Sequence, residues 1–398
     1  MKIKYTLILT ALIFLFLPEC FMLISAEQNV FFDLSAKELS ELSTFYENES
    51  NILASNIYNQ AKECSAKYPF YSYTLSLKCR RAILQKNIND LADIKGVDVT
   101  ISNLTKKVQE RLERVQDEIS KLQQNKTSFP CMEWISLIDN ALKESENYFE
   151  ASQNSYREEN YNATLVYLTK SDFLLYKANN LLKVAKNRNN LSLRRNYSEM
   201  TKEGEKVAFS WINTADDKIS LIENLKDIRE DIIVIARDVL NESKQYYSEG
   251  NYYLSLMSAA EAKALAEFVL NYEKYEKYEK ALVRAEKCVE GAKDSMKEIH
   301  EDTDIDAPIA ELHLEMAELH FEEAKNAKTM SAIPLADIAI QEAQTAEEQV
   351  KAVVDLKNAI ENPSEMPTKK YKWQYAVPIL ALVVLSLFIL WKKRFVLK

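Results

Sequence analysis

The chain has 398 residues, 47% hydrophobic and 28% charged, with a formal net charge of −9, so it has ample apolar material for a large core. Only 4 Gly and 8 Pro occur, and because these residues end helices and make turns, their scarcity argues against a loop-rich or β-rich protein. Lys2, Lys4 and Glu19 contribute +1 and seven basic residues around the C-terminal apolar segment contribute +7, which leaves −17 for the middle of the chain. That balance disfavours nucleic acid and anionic lipid as partners of this region.

The chain opens with Lys2 and Lys4, an apolar run from Tyr5 to Leu17, and the small-residue stretch Ile24-Ser25-Ala26. This is the three-part layout of a secretory signal peptide, expected over 1–26. A lipidated start at Cys20 is the rival reading, but Glu19 before it is neither small nor apolar. Residues 27–128 read as an N-terminal helical region. Ser35 and Glu38 form a capping box with Leu34 and Leu39 placed for a staple, which predicts a helix from there to about Lys67, broken at Pro69. A second helix is expected to run to the Gly96 region. A third carries Leu104, Val108, Leu112, Val115, Ile119 and Leu122 at spacings of three and four, an amphipathic face suited to pairing. Ser128-Phe129-Pro130 should end it.

Residues 129–361 read as a helical repeat region with weak points near 187–190, Gly204, Gly250, 301–308 and Pro334. Tyr156-Arg-Glu-Glu-Asn160-Tyr161-Asn-Ala-Thr-Leu165 matches Tyr247-Ser-Glu-Gly-Asn251-Tyr252-Tyr-Leu-Ser-Leu256 at an offset of 91 residues. Fainter echoes begin at Phe70 and at Ala332. Each implies a helix, a tight turn in which Gly or Asn takes positive φ, and a helix rich in small residues such as Ala259, Ala260, Ala262, Ala264 and Ala266. The expected fold is all-α, with long helices forming stacked antiparallel α-hairpins or an extended bundle, whose surfaces usually bind other chains. Tyr272, Tyr275 and Tyr278 recur in a Tyr-Glu-Lys run, read as a helix held by Glu273–Lys277 and Glu276–Lys280 pairs with partly packed tyrosines.

A linker is expected over 362–372. Residues 373–391, charge-free between Trp373 and Trp391, span about 27 Å as a helix, close to bilayer thickness. A short tail of 392–398 follows. With an export signal ahead of a stop-transfer helix, the expected topology is single-pass in the cell membrane, N-terminus outside and C-terminus cytoplasmic. Between the apolar ends lie seven N-x-[ST] sequons, at Asn48, Asn103, Asn125, Asn162, Asn190, Asn196 and Asn241, as candidate glycosylation sites. Outside the cell a disulfide is allowed. Cys64 and Cys79 flank the Tyr68-Pro69 turn and could pair, with Cys131 an alternative partner and free buried thiols the plainer reading.

Chemistry-bearing motifs are scarce. The residues three before His300, His313 and His320 are Lys297, Ala310 and Ala317, so the Glu-x-x-His of bundle metal sites fails at each. Asp302, Asp304 and Asp306 supply three positions of a calcium loop, but Ala307 and His313 stand where Gly and Glu are needed. The plainer reading is an acidic turn with Pro308 in the first turn of the next helix. No catalytic residue, metal or cofactor is assigned from the sequence.

The stretch 242–267, with Gly250-Asn251-Tyr252-Tyr253 and its trailing alanines, is followed downstream by the apolar segment. It resembles the helical region after the catalytic domain in archaeal surface proteins that carry a Lon-like serine protease domain, over roughly a third of the chain. The protease domain has no counterpart here, so the resemblance implies the helical stalk without the enzyme and carries over no catalytic residue. The expected function is a non-catalytic, membrane-anchored surface protein that binds a protein partner or a second copy of itself through helix faces. A regulatory or accessory subunit of a membrane protease complex, or a solute- or cation-binding receptor, are the alternatives.

Overall fold

In a computed structural model the described residues are 30–46, 52–124, 126–189, 194–223, 229–301 and 305–363. They are almost wholly helical, in an order that breaks naturally into four units of three helices. Unit one comprises α1 (Val30–Tyr46), α2 (Ile52–Cys64) and α3 (Pro69–Lys95). Unit two comprises α4 (Val97–Gln124), α5 (Phe129–Arg157) and α6 (Tyr161–Arg188); unit three comprises α7 (Tyr197–Ile222), α8 (Glu230–Ser248) and α9 (Tyr252–Leu270). Unit four comprises α10 (Tyr278–His300), α11 (Pro308–Ala327) and α12 (Ala332–Glu361). In every unit the third helix packs along both the second and the first, while the first and second touch much less. The repeat is therefore a three-helix unit whose second and third helices are the hairpin visible in the sequence.

Local chemistry sets the boundaries. Pro69, Pro130 and Pro308 sit in first turns, where the missing N–H costs nothing. Ser128, Asn160 and Asn251 cap α5, α6 and α9 through their side chains. Gly96 ends α3 with φ +91°. Residues 126–128 and 194–196 form two short strands, β1 and β2, paired antiparallel with Lys126 opposite Asn196. They join units two and three.

The six apolar residues expected along α4, from Leu104 to Leu122, are all buried. They face a core that runs from Phe31 to Ala185 and includes Tyr73, Trp134, Ile138, Leu168 and Leu175. A second core serves units three and four and is rich in alanine, with Ala259, Ala260, Ala262, Ala266, Ala339, Ala343 and Ala346 fully buried where α9 and α12 approach closely. Helix α5 feeds both: Cys131, Trp134 and Ile135 enter the first core, Phe129 and Met132 the second. Residue 129 thus begins a helix that serves both cores.

Four expectations fail. Ser35 and Glu38 do not begin a helix, because α1 starts at Val30 and both lie inside it. Their side chains are instead buried in tertiary bonds, Ser35 Oγ to Ser72 Oγ at 2.6 Å and Glu38 to Arg80. The single helix read up to Lys67 is two, α1 and α2. The Tyr-Glu-Lys run is not a helix: α9 ends at Leu270 and α10 begins at Tyr278. Tyrosine burial decides this, since Tyr275 enters the core and takes a hydrogen bond from Arg284 Nη1 at 2.9 Å, while Tyr272 packs on Phe268. Gly204 marks no break either, lying within α7.

Adjacent units are stitched in related ways. In the first pair, Arg80 on α3 binds Glu38 on α1 and lies over Tyr176 on α6, whose hydroxyl donates to Glu38 Oε2 at 2.7 Å. In the second, Lys263 on α9 lies over Trp211 on α7 and binds Glu348 on α12, while Trp211 Nε1 donates to Asp355 Oδ2 at 3.1 Å. Unit four also closes back on unit one, where α11 meets α3. Among the described residues no helix is long and apolar enough to cross a membrane. The segments read as signal peptide (1–26) and transmembrane helix (373–391), with the tail and nearly all of the linker, lie outside the described residues.

Candidate functional site

The two matching sequence motifs fold into the same turn. Glu158 N donates to Asn154 O at 3.1 Å, Glu159 N to Tyr156 O at 3.0 Å and Asn160 N to Ser155 O at 2.9 Å. Exactly 91 residues on, Glu249, Gly250 and Asn251 repeat these bonds to Gln245, Tyr247 and Tyr246 at 3.0, 3.1 and 2.9 Å. The pivot residue is left-handed in both, Gly250 at φ +77° and Glu159 at φ +60°. Glycine takes that conformation freely, whereas Glu159 does so under strain that the surrounding bonds must hold. Each Asn then caps the next helix, Asn160 Oδ1 accepting from Ala163 N at 3.2 Å and Asn251 Oδ1 from Leu254 N at 3.3 Å. Asn251 is also buried and donates to Ser136 O at 3.0 Å, which ties unit three to α5. Over each turn two tyrosines meet edge to face, Tyr156 with Tyr161 at 5.7 Å and Tyr247 with Tyr252 at 5.3 Å between ring centroids.

A buried polar junction holds the units together behind these turns. Glu133 on α5 is fully buried, and its two oxygens accept from the backbone N–H groups of Asp306 and Ala307 at 3.1 and 3.4 Å. Burial, reinforced by the nearby Asp306 carboxylate, pushes its carboxyl well above the usual range. Asp306 accepts from Trp134 Nε1 at 2.6 Å and pairs with Arg188 Nε at 2.9 Å. Burial raises its pKa too, with Arg188 pulling the other way, and burial lowers that of neighbouring His300. Acid, base and imidazole in one place resemble catalytic equipment. Both Glu133 oxygens are committed to holding the turn in which Ala307 sits at φ +43°, so the arrangement is a clamp.

The remaining residues singled out from sequence are dispersed. Asn103, Asn162, Asn196 and Asn241 are exposed, as attachment of a glycan requires; Asn48, Asn125 and Asn190 lie outside the described residues. Cys64, Cys79, Cys131 and Cys288 are free thiols. Cys79 is buried and donates to Ala54 O at 3.3 Å, and burial pushes the Cys131 thiol up to about 12. His313 pairs with Glu342 at 2.5 Å and His320 with Glu323 at 3.2 Å. Asp302 and Asp304 are outside the described residues, and no group of three or more metal-ligating side chains forms among those described. Asp306 is spent on Trp134 and Arg188.

Sequence reasoning missed Glu133, Arg188 and Glu315. Glu315 on α11 accepts from the N–H groups of Phe70 and Tyr71 at 3.0 and 2.7 Å, capping α3 from the far end of the chain. The one available signal was a lone carboxylate on an otherwise apolar helix face, as at Glu133 between Met132 and Trp134. Among the described residues, open grooves of about 250 Å³ and about 190 Å³ lie between α10 and α12 and beside Lys67, Lys293 and Phe321. No family model matches the chain, and neither a curated protein nor a solved structure matches it.

Proposed function

We propose that this chain is a non-catalytic surface protein, anchored by one membrane span, whose helical body binds a protein partner or a second copy of itself. The body would lie outside the cell with a short cytoplasmic tail. The observation that carries this reading is the duplicated turn. Two units present the same hydrogen-bonded loop and the same edge-to-face tyrosine pair, exposed in unit two and half-buried in unit three, on a scaffold in which buried Glu133 holds units two and four together. The apolar ends at 1–26 and 373–391 and the exposed asparagines of four sequons support the surface location.

Crosslinking in native membranes, followed by purification of the intact protein, tests the reading. A specific partner or a homo-oligomer crosslinked through residues near Tyr161 or Tyr252 is the expected result. A strictly monomeric, partnerless protein at native abundance overturns it.

A further inference from the structure

Helix α11 is held to its neighbours chiefly by polar contacts. Of the residues it buries, Pro308, Ala310, Glu315, Ala317, Phe321 and Ala324, only Phe321 is a large apolar side chain. Helix α12 beside it buries Ile340, Val350, Val353, Leu356 and Ile360. An element with so little apolar surface in the core opens more readily than those around it. Both of its ends are pivots: Ala307 before it and Lys328 after it sit in the left-handed region, at φ +43° and +47°. Residues at the ends of an element that absorb backbone rotation are where hinges form.

The polar contacts go to several neighbours. His313 Nδ1 lies 2.5 Å from Glu342 Oε2 on α12, and the charge of Glu261 on α9 reaches the same imidazole. Two residues on, Glu315 accepts from the N–H groups of Phe70 and Tyr71 on α3 at 3.0 and 2.7 Å. Lys293 of α10 pairs with Glu318 at 2.7 Å, and Lys67, just before α3, with Glu322 at 3.9 Å. The Cys64 thiol of α2, raised by burial, Glu63 and Glu315, faces the helix as well.

Protons set the strength of the first two contacts. Burial would lower the His313 imidazole, but the bond to Glu342 and the charges of Glu342 and Glu261 outweigh it and hold it above the usual histidine range. Burial pushes the Glu315 carboxyl up to about 7, against the pull of the Tyr71 and Phe70 N–H groups and with help from Glu318. Each group thus binds its proton more tightly in the folded state, and its stabilisation is lost as pH rises. For Glu315 the loss runs from the ordinary glutamate value to about 7. For His313 it runs from the ordinary histidine value up through the raised one. The two windows join near neutrality.

We infer that α11 is a pH-operated strap. With His313 protonated and Glu315 neutral it fastens unit four to unit one; as pH rises through neutrality it swings on its two pivots and lets go of α3 while the other helices stay folded. Release widens the groove beside Lys67, Lys293 and Phe321, which α11 walls on one side. It also bares the first turn of α3, whose N–H groups Glu315 had satisfied. The inference does not depend on the protein-interaction reading.

The test is amide exchange with mass spectrometry on the full-length protein in lipid nanodiscs at pH 6 and pH 8, corrected for intrinsic exchange. Protection of α11 and of the first turn of α3 should fall about tenfold or more between the two, since one unit of pH across a titrating group is a factor of ten. Protection of α9 and α12 should hold. The double variant His313→Gln, Glu315→Gln keeps hydrogen-bonding groups in place and removes both titrations, so its α11 should exchange alike at the two pH values. Equal protection of wild-type α11 at both, or a parallel loss across all units, overturns the inference, as does a pH response that survives in the double variant. A second measurement needs no change at either residue: histidine-ring NMR, assigned with His300→Gln and His320→Gln, should show His313 titrating above the usual histidine range. Titration at or below that range overturns the inference too.

Discussion

Glu315 shows how much one carboxylate can decide. Pro69 deprives the start of α3 of one N–H, and Glu315 satisfies the next two, Phe70 and Tyr71, from a helix about 245 residues away. Negative charge at a helix N-terminus is favourable. Yet burial pushes the carboxyl up to about 7, with the two N–H groups pulling it partly back. A raised carboxyl pKa means that the folded state binds the proton more tightly than the unfolded chain does. Stability from this group is therefore complete below the ordinary glutamate pKa and is lost as pH rises towards about 7. Between those limits the loss is on the order of a few kcal/mol. Urea unfolding of wild type and Glu315→Gln at pH 4.5, 6 and 7.5 should show the two diverging in slope, the wild type falling more steeply. Parallel lines would mean that Glu315 does not titrate in this window. At the same scale the two cap asparagines should differ. Asn160→Ala loses an exposed cap worth about 1 kcal/mol, whereas Asn251→Ala also loses the buried bond from its amide to Ser136 O and should cost about 1 kcal/mol more.

At the scale of the helix, Gly204 offers a direct trial of the structure. It lies inside α7, and a Cβ there would meet Met132 Cε and Tyr252 Cβ at 3.5 Å and Leu356 Cδ1 at 3.8 Å, all ordinary contact distances. Gly204→Ala should therefore raise stability by about 0.5–1 kcal/mol by restricting the unfolded chain, seen as a higher urea midpoint at unchanged m-value. A drop in stability would show that α7, α9 and α12 cross more tightly here. Gly204 also illustrates what sequence can reveal. A glycine in a helical pattern is ambiguous between a break and a close approach, and only the partner helices resolve it. The α4 face was legible because its apolar spacing is regular over five turns, and the paired turns because five of their ten residues are identical, the two tyrosines and the asparagine among them. Ser35 and Glu38 were misread for a physical reason: a Ser-x-x-Glu pattern caps a helix only when nothing upstream continues it. Here Phe31 enters the first core against Phe70 and Trp134, and its burial extends α1 past the pattern. The three-helix period was hidden because the first helices of the units share no motif.

For the whole molecule, the junction of Glu133, Trp134, Arg188 and Asp306 predicts that units two and four do not melt separately. Arg188→Met removes the guanidinium paired with the buried Asp306 carboxylate and should cost about 3 kcal/mol. Amide exchange followed by mass spectrometry should then show α4 and α6 losing protection together with α9 and α12. Loss confined to one core would show that the units are independent.

Closure of unit four on unit one sets a rule for the architecture. An open solenoid must spend its outermost repeats as lids, and in return it can lengthen by copying a module at either end. Here the first and last units serve as each other's lid through α3 and α11. A further copy that docked on the face shared by α3 and α11 would have to break this contact. Variation in such a protein is channelled away from length and into what its exposed turns display.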